Sequence, residues 1–173
     1  LDIAEHIAAQ RPNRTAIQGG WVDDATFWDL IDLLDWRRDG DDDRVVNPLV
    51  DRLASLPDAN IGEFHEVLAQ KLYALDGRAW ARESGGDIWS GEPNDLSVDG
   101  FLYARSAVVA RGRAAYEAIL ADPTLMPKNA AFETLLYVAA AAYERKTGLE
   151  WDDLDDTEVS YETFSNDAGW PKD

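Results

Sequence analysis

The chain has 173 residues, 46% of them apolar and 10% aromatic, enough to bury one core and short for two. With 34 acidic against 16 basic residues the formal charge is −18, a field that repels a phosphate backbone, so nucleic acid is not the expected ligand and a basic protein fits better. Without any cysteine, disulfides, thiolate nucleophiles and thiolate metal sites are ruled out.

In chain order, Ile3, Ile7 and Ala8 stand at helical spacing before Arg11-Pro12-Asn13, which predicts a short amphipathic helix in an N-terminal extension over residues 1–22. Asp24 is placed to cap a second helix with Phe27, Leu30, Ile31 and Leu34 on one face, ending in the run Asp39 to Asp43. A third helix is expected from Val46 to Leu56, with Leu49, Val50, Leu53 and Leu56 on one face and Pro57 ending it. Ile61, Phe64, Leu68, Leu72, Leu75 and Ala79 then predict one long fourth helix reaching Trp80, weakened at Gly77. Residues 84–97 hold Gly85, Gly86, Gly91 and Pro93 and read as a loop.

Asp99 is placed to cap the fifth helix, which breaks at Gly112 and continues from Arg113 to Leu120 before Asp122-Pro123. A sixth helix is expected over Ala130 to Lys146, its alanines permitting close approach and Gly148 ending it. The tail, residues 149–173, has nine acids and one lysine between Glu150 and Asp173. It also holds Trp151, Tyr161, Phe164 and Trp170, rings expected to anchor it partly against the domain. Trp28, Trp36, Trp80 and Trp89 read as core or loop anchors.

Known chemistries fit poorly. Asp39, Asp41 and Asp43 have the spacing that opens a calcium loop, but Arg44 stands where its glycine belongs and Val50 where its bidentate glutamate belongs. His65-Glu66 begins a zinc-hydrolase helix whose second histidine is replaced by Ala69. There is no phosphate loop, dinucleotide fingerprint or nucleophile elbow, so neither a cofactor nor a metal nor a catalytic residue is expected. The longest apolar run, Leu135 to Tyr143, is far below the roughly 18 residues of a bilayer span, and a cytoplasmic protein without a membrane partner is the expectation.

The segment from Ser97 to Gly112 is the most informative. Its apolar face runs through Phe101, Val108 and Val109, and Arg105 lies on or beside that stripe, so it must be paired or reach the surface. Asp99 and Glu133 are its expected partners, with Tyr137 one turn beyond Glu133. The four residues form either a structural ion pair fixing two helices or a binding cleft.

Several ordered motifs resemble a known family. They are Phe27-Trp28-Asp29-Leu30-Ile31-Asp32, Asp99-Gly100-Phe101 with Arg105, Gly112-Arg113 with Tyr116-Glu117, Leu120-Ala121-Asp122-Pro123, and Tyr137-Val138-Ala139-Ala140 with Ala142-Tyr143-Glu144 and Thr147-Gly148. In order and spacing they resemble the bacterial domain of unknown function 4240 family over roughly residues 23–148. Ala104 and Ala107 stand where that family usually carries a phenylalanine and a tryptophan, and the 84–97 loop is longer than its usual turn. The resemblance implies a fold and a bacterial origin without an activity.

The expectation is an all-α single domain of about six helices, with the N-terminal helical extension and an acidic, partly ordered tail. For function, the leading reading is a non-enzymatic module that binds a protein, a basic one by charge, in the manner of an immunity or antitoxin protein. The second is a small-molecule sensor or enzyme with a pocket between the fifth and sixth helices. A third, a purely structural role as one module of a longer polypeptide, stays open because the first residue is Leu1. No oligomeric state is legible.

Overall fold

The structure is a computed structural model and describes residues 21–92, 94–151 and 157–171. The helix expected over residues 1–10 lies outside the described residues. Among those described, seven α-helices and four short 3₁₀ turns enclose a single core, with no strand.

Helix α1 (Asp24–Ile31) is capped by Asp23 rather than by Asp24: the Asp23 carboxylate accepts from the Thr26 amide at 2.8 Å, and Asp24 sits in the first turn, where negative charge suits the helix dipole. The helix buries Phe27, Trp28, Leu30 and Ile31. It is shorter than its apolar pattern suggested, because Asp35 draws the chain into a 3₁₀ turn over Trp36–Arg38. Asp41 then caps α2 (Asp42–Ala54), so this helix begins four residues earlier than expected and carries Pro48 inside.

Helix α3 (Asp58–Ala74) buries Ile61, Phe64, Leu68 and Leu72, and it does not continue to Trp80. The chain breaks at Leu75-Asp76-Gly77 and resumes as the short α4 (Arg78–Glu83). At this break lies Asp76, whose fully buried carboxylate accepts hydrogen bonds from the tail. Helix α5 (Val98–Ala110) is buried almost all round, including Ala104 and Ala107, and forms the centre of the domain. Its cap is Ser97, whose hydroxyl accepts from the Gly100 amide at 3.2 Å, and not Asp99.

Gly112, at φ +88°, makes the break before α6 (Arg113–Ala121), a backbone conformation that a side chain would strain. The last predicted helix is only partly α-helical. Its beginning is irregular, residues Glu133–Tyr137 form a 3₁₀ turn, and α7 (Val138–Thr147) follows, ending in the left-handed Gly148. Ala139 and Ala142 are buried where α7 packs against α2 and α3.

An aromatic cluster ties α1, α3 and α6 together. Phe27 stacks on Phe64 at 5.2 Å and meets Trp28 edge-on, and Trp28 packs against Tyr116 at 5.2 Å. Lys71 lies over both Trp28 and Tyr116 and is held by Asp24.

The tail runs back over the domain. Trp151 and Tyr161 pack against the buried His65 ring, at 5.1 and 5.8 Å, and Trp170 meets Phe101 edge-on at 6.0 Å. Phe164 is half exposed and packs on Trp170 at 4.6 Å.

Candidate functional site

The polar side chains of α5 lie in two different places. Arg105 points inward and is the largest of the fully buried side chains among the described residues. Its guanidinium donates to the Leu72 carbonyl at 2.9 Å and to the Thr163 hydroxyl at 3.0 Å, lies 4.9 Å from the Phe101 ring centre, and leaves Nε without a partner. Burial lowers its pKa to about 10, opposed by the charges of Asp76 and Glu162, so it stays protonated at neutral pH. The expected partners Asp99 and Glu133 are replaced by a backbone carbonyl and by a residue of the tail.

Asp76, absent from the sequence-derived candidates, is the acidic counterpart of Arg105. Its carboxylate accepts from the amides of Phe164 at 3.2 Å and Asn166 at 3.0 Å, and from the Trp170 indole at 2.9 Å. An aspartate directly before Gly77, inside an otherwise regular apolar repeat, was the signal that a long helix would break there. Thr163 was hidden because nothing near it in the chain explains its burial.

Asp99, Glu133 and Tyr137 lie at the surface, where they are joined by Tyr103 of α5. The Tyr137 hydroxyl donates to Glu133 at 3.3 Å. The pKa values of Tyr103 and Tyr137 are raised, first by desolvation and then by the neighbouring Glu133 carboxylate, with Asp99 adding to both. Neither Asp99 nor Glu133 forms an ion pair with a lysine or arginine among the described residues.

This patch continues onto the Trp36 turn. The Phe132 amide donates to the Tyr103 carbonyl at 3.1 Å, and the Phe132 ring lies 5.2 Å from Trp36. Trp36 is 45% exposed and Tyr137 is 50% exposed. Of the expected core or loop anchors, Trp36 is thus a half-exposed ring of a turn packed on Phe132, whereas Trp28 is buried and Trp80 donates to the Ile119 carbonyl. On the far side, Tyr137 borders an open groove of about 340 Å³ that also takes in Asp43, Asn47 and Arg145.

With Arg105 in the core and Tyr137 and Glu133 at the surface, the three do not converge on one pocket. No group of three or more histidine, aspartate or glutamate residues is placed to hold a metal among the described residues. Asp41, one of the calcium-like trio, is used as a helix cap and pairs with Arg44 at 3.1 Å. No helix among the described residues is long and apolar enough to cross a membrane.

In comparisons with known proteins, a family described as a protein of unknown function (DUF4240) matches residues 22–145. No curated protein and no solved structure matches the chain.

Proposed function

The chain belongs to the DUF4240 family of proteins of unknown function, and we propose that its patch of Tyr103, Tyr137 and Trp36 around Glu133 and Asp99 is a docking face for a basic protein. The observation that supports this most is the pairing of half-exposed large rings with carboxylates that no lysine or arginine of the described residues neutralises. Tyrosine and tryptophan supply rigid contact area and faces for cations, and the carboxylates supply the charge partners. The net charge of −18 would speed encounter with a cationic partner and discourage acidic ones. A stoichiometric binder of this kind acts by covering its partner, as an immunity or antitoxin protein does, and needs no catalytic group.

Calorimetric titration with a short lysine- and arginine-rich peptide tests the proposal. Tyr137→Ala and Trp36→Ala should each weaken binding about tenfold, the effect of an interface anchor worth roughly 1.4 kcal/mol. Glu117→Gln, which removes an acid already paired with Arg113 on α6, should leave the affinity unchanged. Equal losses at all three positions would show a diffuse charge effect and overturn the assignment of the face.

A further inference from the structure

The buried Asp76 and Arg105 face a segment that the family match does not include. Asp76 and Arg105 both fall within the matched residues 22–145, whereas the residues that cover them, 157–171, lie beyond it. The contact is made like the binding of a peptide. Thr163 places its hydroxyl between Arg105 Nη2 and the Val98 carbonyl, accepting from the first and donating to the second at 2.8 Å. Asn166 donates from Nδ2 to the Tyr73 carbonyl at 3.1 Å. Trp170 spans the cleft, its ring on Phe101 and its indole N–H on Asp76.

Two further details show how closely the segment and the cleft fit. Phe164 adopts φ +76°, a left-handed conformation costly for an aromatic residue, and this aims its amide at Asp76. At Gly169 the two backbones approach so closely that a Cβ would lie 2.1 Å from the Asp76 carbonyl oxygen and 2.9 Å from Gly77 Cα. The cleft thus accepts a turn with a hydroxyl, a side-chain amide, a glycine and an indole in fixed order, and it contributes a buried cation and a buried anion to hold them.

We propose that the cleft between the Asp76-Gly77 corner and α5 is a peptide-binding site that residues 157–171 occupy as an intramolecular ligand. The proposal is independent of the acidic and aromatic face, which lies on other residues. A tethered ligand has an effective concentration on the order of millimolar, so the same peptide added to the intact chain competes poorly.

The test uses the full chain with its own segment disabled by Thr163→Val, Asn166→Ala and Trp170→Ala together, and a fluorescent synthetic peptide of residues 157–171 as the probe. The expected result is no binding to the unaltered chain, saturable binding to the triple variant with unchanged helicity by circular dichroism, and at least about a tenfold loss when the peptide carries Gly169→Ala. Adding Asp76→Asn to the triple variant should also abolish binding. A folded triple variant that ignores the peptide, or binds the altered peptide equally well, overturns the proposal. So does a triple variant that fails to fold, because the segment would then be an inseparable part of the core.

Discussion

Arg105 is the residue on which most of the buried polar structure converges. A guanidinium with no exposure is tolerable only because the Leu72 carbonyl, the Thr163 hydroxyl, the Phe101 ring and the charge of Asp76 replace part of its hydration. Arg105→Met keeps the volume but leaves those acceptors unpaired and Asp76 without its nearby cation. Urea denaturation should show a loss of about 3–5 kcal/mol, in the range for removing one member of a buried charge arrangement. An unchanged midpoint would mean that the guanidinium contributes nothing net. That Arg105 had to be paired or reach the surface was legible in the sequence, since it lies beside an apolar stripe. Their identity was not legible, because Thr163 is 58 residues away and no local pattern links the two.

At the scale of elements, apolar periodicity located the buried faces of α1, α2 and α3 well, while their ends were set by polar details and α5 is buried on more than its one expected face. Either Ser97 or Asp99 satisfies the rule for a cap before α5, and the structure uses Ser97. Ser97→Ala should therefore cost about 1 kcal/mol in thermal or urea unfolding, and Asp99→Ala markedly less. Equal costs would contradict the capping assignment. The break of the expected fourth helix has a different origin. Its apolar spacing runs on through Leu75 and Ala79, but the chain turns at Asp76-Gly77, where the buried Asp76 carboxylate accepts from the tail. The beginning of the expected sixth helix was likewise misread: alanine and leucine content favours a helix there, but the Phe132 amide binds the Tyr103 carbonyl and the turn after it is 3₁₀. That irregular turn is what carries Glu133 and Tyr137 to the surface beside Tyr103.

For the whole molecule, charge dominates behaviour in solution. Asp23, Asp35 and Asp122 have pKa values below the ordinary 3.8: Asp23 through the Thr26 amide, Asp35 through Arg37, and Asp122 through Thr124. A folded-state value below the unfolded one gives stability that is present above the unfolded pKa and lost as pH falls through the folded one. At constant high salt, where repulsion among the acids is screened, the melting temperature should therefore decline below about pH 4. A melting temperature that rises over that interval would show relief of repulsion outweighing these three carboxylates. Burial of one core, the all-α class and the family were all legible from composition, spacing and ordered motifs. The division of the candidate residues between core and surface was not, since Tyr103 and Arg105 lie two apart on one helix and face different surroundings.

The most direct measurement is a heteronuclear NMR titration of the chain with a lysine- and arginine-rich peptide. A docking face predicts saturable shifts concentrated at the Trp36 indole and at the amides of Tyr103, Glu133 and Tyr137. Shifts spread evenly over the acids of α1, α6 and the tail, or no shifts at all, would contradict it.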